Sequence, residues 1–90
     1  MGNSLFLGVD VGTTAIKAGV YDEHGKMLAH DRKPMTVIRP AEAWSEQDMN
    51  VLWETTLSCL TAAAAQVDAS AVRAIGVCGQ GDGLWLLDAD

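Results

Sequence analysis

Ninety residues, 49% of them apolar and 20% charged, are enough for one small domain with a single core and carry too little charge for a disordered chain. The formal net charge of −6 comes without acidic blocks or basic clusters, which argues against nucleic acid and anionic membrane surfaces as partners, so a small anionic ligand must be met by local cations or backbone N–H groups. No run approaches the roughly 18 apolar residues of a membrane span, and Met1 to Ser4 has no basic leader region, so a cytoplasmic location is expected.

The first apolar run, Leu5 to Val11, reads as a buried strand and ends in Gly12-Thr13-Thr14. Asp10 inside such a strand needs a reason, because an unpaired buried carboxylate is costly. A phosphate site supplies one. Gly12 lets the backbone turn tightly, Thr13 and Thr14 offer hydroxyls and successive N–H groups to an anion, and Asp10 tolerates that anion if a divalent cation sits between them. Lys17 is a candidate for balancing phosphate charge, although an alternating strand lysine is as often merely solvent-facing.

Ala15 to Asp22 alternates, with Ile16, Ala18 and Val20 on one side and Lys17, Gly19 and Tyr21 on the other. Asp22-Glu23-His24-Gly25 is a turn, and Lys26 to Lys33 alternates as an outer strand, so the first three strands form an antiparallel meander. His24 and His30 read as solvated residues. Pro34 to Ala43 is extended, with Arg39 exposed or reaching toward a site.

Trp44-Ser45-Glu46-Gln47-Asp48 opens the one convincing helix, with Ser45 as N-cap and Asp48 closing a capping box. Met49, Leu52, Trp53, Thr56, Leu60, Ala63, Ala64 and Val67 form its core-facing stripe. Trp44 is either a hydrophobic staple against Leu52 or one wall of a sugar site, where an aromatic plane suits the C–H face of a sugar. Val72 to Cys78 is a second buried strand, reached through a helix and therefore parallel to the first. It ends in Gly79-Gln80-Gly81-Asp82-Gly83, and Leu84 to Leu87 resumes as another strand with Trp85 in the core. Cys59 and Cys78 read as reduced core thiols.

If the first and fourth strands are parallel neighbours, their carboxyl ends bring the Gly12-Thr13-Thr14 turn and the Gly79 to Gly83 loop to one sheet edge, where open α/β sheets bind ligands. Two subsites follow, for phosphates near Asp10 and for a polyhydroxylated group near Gln80, Gly81 and Asp82.

Gly8-x-Asp10-x-Gly12-Thr13-Thr14-x-x-Lys17, then Trp44-Ser45-Glu46-Gln47-Asp48 leading to Trp53, then Ile75-Gly76-Val77-Cys78-Gly79-Gln80, resembles in order the start of an FGGY-family carbohydrate kinase. The Gly79-Gln80-Gly81-x-Gly83 form is similar to L-xylulose kinase-like and polyol kinase-like members. D-xylulose kinases carry G-Q-M-H-G there and glycerol kinases an N-Q-R-E variant. The resemblance implies an α/β, ribonuclease H-like (actin-like ATPase) fold with a mixed sheet: an antiparallel three-strand meander, one helix and a parallel strand. Residues 1–90 would be the N-terminal part of the first of two such domains, the second lying outside the chain.

The resemblance also implies ATP and Mg²⁺ in the cleft between domains and a sugar or polyol as substrate. Asp10 would lie near the metal, Gly12, Thr13 and Thr14 along the ATP phosphates, and Gln80 with its loop near the sugar. The family's general base, an aspartate, would lie beyond position 90, so the segment alone is expected to be inactive. A homodimer of the longer protein is compatible with the resemblance. An Hsp70-like or actin-like ATPase is the competing reading, since it shares the strand and Gly-Thr-Thr turn.

Overall fold

In the computed structural model, which describes residues 4–81 and 85–89, four strands and one long helix follow one another as β1 (Leu5–Val11), β2 (Ala15–Asp22), β3 (Met27–Pro34), α1 (Met49–Ala64) and β4 (Val72–Cys78). The sheet order is β3-β2-β1-β4. The pairs β1/β2 and β2/β3 are antiparallel, and β4 returns through α1 to lie parallel to β1. The expected meander and crossover are both present. A right-handed crossover through a helix is the usual way for a chain to place a strand parallel to one it has already laid down.

Side-chain alternation decides which face is covered. Leu5, Leu7 and Val9 of β1 join Ile16, Ala18 and Val20 of β2 and Ala29 of β3 on one face. Onto that face α1 lowers Cys59 and Ala63, both without solvent contact. Full burial of Ile16 and Val20 contributes roughly 1.5–3 kcal/mol each. Thr56 is buried beside them because its hydroxyl donates to the Leu52 carbonyl at 2.7 Å, which leaves no orphan polar group.

The opposite face is open, and this corrects several expectations. Asp10 alternates onto it and is exposed, so the cost of burying an unpaired carboxylate does not arise there. The strand β4 forms where expected but is not buried. It is the edge strand, α1 leans over β1, β2 and β3 instead, and Ile75, Val77 and Cys78 are exposed. Cys59 is a core thiol, whereas Cys78 is not. Trp53 is 61% exposed, at the margin of the stripe that buries Thr56, Cys59 and Ala63, and Met49, two turns before Thr56 on the line of that stripe, is 37% exposed at the start of the helix. No strand forms over residues 85–87, and Trp85 is exposed; Leu84 lies outside the described residues.

The helix also starts later than the Ser45 box suggests. Asp48 is the N-cap, and its Oδ1 accepts from the N–H groups of Asn50 (2.9 Å) and Val51 (3.2 Å). Residues before it are engaged elsewhere. Ile38 and Glu46 form an antiparallel bridge through two backbone hydrogen bonds of 2.7 and 2.8 Å, and the Ser45 hydroxyl accepts from Arg39 Nη1 at 2.7 Å. With the N-cap at Asp48, Trp44 lies four residues upstream of it, too far back for a staple, which takes the residue just before the cap.

The β2–β3 turn is the expected one. Asp22 Oδ1 accepts from the N–H groups of His24 and Lys26, Gly25 adopts φ +83°, and His24 is solvated. Those N–H groups, Lys26 first, hold the Asp22 carboxyl below its ordinary value. Among the described residues no helix is long and apolar enough to cross a membrane.

Candidate functional site

The carboxyl ends of β1 and β4 stand side by side, with Asp10 in register with Cys78. From that edge β1 runs into a two-residue loop, Thr13-Thr14, closed by a 3.0 Å bond from Gly12 N to Ala15 O. A Cβ on Gly12 would sit 2.7 Å from that same carbonyl oxygen, so the turn closes only with glycine there. Neither threonine has positive φ, since the positive values among described residues belong to Ala43 and Gly25. The loop therefore is not one of the primed turns whose twist suits a hairpin. Outside bonds brace it instead: Met35 N donates to the Thr14 carbonyl at 2.8 Å, and Gln47 Nε2 reaches the Thr13 carbonyl at 3.4 Å. Both threonine side chains remain exposed to a ligand.

Across the edge, β4 releases Gly79, Gln80 and Gly81. Gln80 is half-buried, and its Nε2 donates to Gln47 Oε1 at 3.0 Å. Gln47 thus links the Thr13-Thr14 loop to the Gln80 loop. In the sequence Gln47 falls within the Trp44-Ser45-Glu46-Gln47-Asp48 motif, and nothing in its residue type marks it out as a site residue. Its place follows from the Ile38–Glu46 bridge and the Asp48 cap on either side. A Cβ on Gly79 or Gly81 would meet nothing within 4 Å, so no contact among the described residues demands glycine at either position. Asp82, the third residue expected at this subsite, lies outside the described residues.

Trp44 is 57% exposed, in the loop closed by the Ile38–Glu46 bridge. The residue before it, Ala43, has φ 66°, a left-handed conformation that costs a non-glycine residue about 1 kcal/mol or more. Arg39 turns back onto Ser45 rather than toward the sheet edge.

Asp10 and Lys17 face each other across β1 and β2, and Arg32 continues the row on β3. These three line an open groove of about 740 Å³ on the uncovered face, with Tyr21, His30 and Cys78. Its floor is glycine: Gly8, Gly19 and Gly76 are aligned across three strands. A Cβ on Gly19 would come within 2.8 Å of the Tyr21 hydroxyl, which places the tyrosine over that strip. Thr13, Thr14 and Gln80 are not part of its lining, so the groove adjoins the edge site through Asp10 rather than forming it. Among the described residues, no three His, Cys, Asp or Glu side chains gather as a metal cage.

The Cys59 thiol is no nucleophile. Burial, the charge of Asp31 and a hydrogen bond to it push the thiol above its ordinary value, and its Sγ lies 3.3 Å from the Asp31 carbonyl and 3.5 Å from that of Ile16.

Residues 5–90 match the FGGY family of carbohydrate kinases, N-terminal domain. The chain belongs to this family. The FGGY segment is 36% identical over 85 residues to a xylulose kinase of Escherichia coli, a match covering 94% of this chain and 18% of that protein. It is 35% identical over 85 residues to an L-xylulose/3-keto-L-gulonate kinase of the same organism, covering 92% and 17%. A glycerol kinase of Aquifex aeolicus is 31% identical over 87 residues, covering 97% and 18%.

Among solved structures, a gluconate kinase from Lactobacillus acidophilus superposes with a TM-score of 0.81 at 26% identity, covering 88% of this chain and 16% of that one. A ligand-bound xylulose kinase from the same organism gives 0.79 at 27%, covering 86% and 16%. The FGGY segment spans 16–18% of the length of these relatives. Its mixed sheet and these neighbours put it in the ribonuclease H-like, actin-like ATPase fold class.

Proposed function

We propose that this segment forms one wall of the cleft of an ATP-dependent sugar or polyol kinase, which moves the γ-phosphoryl group of ATP to a hydroxyl of a ketopentose or related polyol. The observation carrying the proposal is the shared edge: parallel β1 and β4 bring the Thr13-Thr14 loop and Gln80 within reach of one side chain, Gln47. Two loops so joined suit two substrates that must meet.

In this reading Gly12, Thr13 and Thr14 hold the ATP phosphates with backbone N–H groups and hydroxyls, and Lys17 balances their charge. Gln80, Gly81 and Asp82 bind the sugar, and the exposed Trp44 offers an aromatic plane to its C–H face. A lone exposed carboxylate such as Asp10 suits Mg²⁺, which keeps several waters and meets protein through one or two carboxylates. When bound, the ion neutralises phosphate charge. Phosphoryl transfer rests on positioning and charge neutralisation, so the reaction belongs to the longer protein, in which a general base and the opposing wall complete the cleft. The ninety residues alone are inactive on this account.

The relatives' names set the test panel. A protein carrying this segment at its full natural length is given ATP with D- and L-xylulose, 3-keto-L-gulonate, gluconate and glycerol, and ADP release is followed. The proposal expects ADP only when an acceptor is present. Release at the same rate with no acceptor would point to an actin-like or chaperone-like ATPase instead, and no release with any compound would overturn the kinase reading.

A further inference from the structure

We propose that Gln47 is the positioning residue that sets both subsites at once, coupling the orientation of a phosphate-binding N–H to that of the sugar-binding Gln80. The inference rests on the kinase reading above and adds a residue and a coupling to it.

A primary amide has one acceptor end and one donor end, and Gln47 spends each on a different loop. Its Oε1 takes the N–H of Gln80 at 3.0 Å, in part-buried surroundings. With its nitrogen end engaged there, Gln80 keeps its Oε1 as the acceptor for a substrate hydroxyl. The amide cannot flip without setting two oxygens against each other.

The Nε2 of Gln47 reaches the Thr13 carbonyl at 3.4 Å. In a trans peptide the carbonyl and the following N–H point in opposite directions in one plane. Drawing the Thr13 carbonyl toward Gln47 therefore turns the Thr14 N–H away from it. That control complements the Met35 N–H, which holds the Thr14 carbonyl and so the next peptide plane rather than this one. Gln47 itself is held from both sides by the Ile38–Glu46 bridge and by the Asp48 cap, so the amide is presented from a fixed backbone.

The account separates two substitutions. Gln47→Leu removes both ends. Gln47→Glu keeps an acceptor for Gln80 but loses the donor to Thr13 and adds negative charge beside the phosphate loop. In the full-length kinase, Gln47→Leu is expected to raise the KM for sugar about fivefold, the equivalent of one ordinary hydrogen bond, and the KM for ATP about two- to threefold, because the contact to Thr13 is longer, at 3.4 Å, and exposed. Gln47→Glu is expected to restore the sugar KM to within about twofold of the parent while leaving the ATP KM raised. Melting temperatures should stay within about 3 °C of the parent, because the side chain is only half-buried.

Unchanged KM values in Gln47→Leu, a change confined to one substrate, an identical pattern in both variants, or a loss of activity that follows a fall in melting temperature would each overturn the inference. In all those cases the parent still phosphorylates its sugar and the kinase reading stands. A parent that phosphorylates nothing overturns both.

Discussion

Gly12→Ala tests the phosphate turn at its tightest point. The added Cβ would lie 2.7 Å from the Ala15 carbonyl oxygen, a backbone atom that cannot swing aside as a flexible side chain could. The loop must open, and the 3.0 Å bond from Gly12 N to that same oxygen goes with it. The lost bond costs about 1 kcal/mol and the forced backbone shift about 1–3 kcal/mol. Reduced freedom of the unfolded chain returns about 0.4–1 kcal/mol. The net is about 2 kcal/mol of destabilisation. Gly76→Ala is the matched control, since a Cβ there meets nothing within 4 Å and its φ is not positive. Thermal melts followed by circular dichroism should show a large drop for Gly12→Ala and almost none for Gly76→Ala. Equal melting temperatures for Gly12→Ala and the parent would refute the steric argument.

Asp48→Ala should cost about 1 kcal/mol by removing the N-cap, while Ser45→Ala should stay within about 0.5 kcal/mol; denaturant titration of the pair distinguishes the two caps. A water-soluble thiol reagent at mildly alkaline pH should modify the exposed Cys78 well before Cys59, whose thiol is buried and held neutral, and mass spectrometry of the peptides reads the order. Asp22 has a folded-state value below its ordinary 3.8, so the stability it supplies is complete above that pH and is lost as pH falls below it through the folded value. Asp22→Asn should flatten that acid limb of the stability curve, as measured by melts between pH 5 and about pH 2. Gly19→Ala should displace the Tyr21 ring, seen as a change in tyrosine fluorescence or ring NMR shifts without loss of the sheet.

The sequence was most legible where local chemistry and tertiary packing agree. Alternation through Ile16, Ala18 and Val20 marks β2 because one face of the meander packs on α1 and the other does not. The Asp22 to Gly25 turn was readable because a side-chain carboxylate and a positive-φ glycine act within five residues. The helix start was not, since both Ser45 and Asp48 are good caps and only the Ile38–Glu46 bridge, eight residues apart, decides between them.

Apolar composition misled at Trp53, Val77 and Trp85 for another reason. Their pattern implies burial, yet α1 covers β1, β2 and β3 and stops short of β4, so Val77, in register with buried Val9, stays open beyond the edge of the helix layer, and Trp53 and Trp85 have no cover among the described residues. The burial argument for Asp10 fails because alternation turns it onto the uncovered face, while its position just before the Gly12 turn is as expected. Gln47 was invisible as a site residue because its role lies in two contacts, 34 and 33 residues away in the chain.

The central claim is that one sheet edge serves two substrates, with Gln80 on the sugar side. The most direct test is the pair of KM values of the Gln80→Leu enzyme at full natural length. The account predicts a sugar KM raised about tenfold or more, as a substrate hydroxyl loses its acceptor, with an ATP KM within about threefold of the parent. A sugar KM that does not move would contradict it.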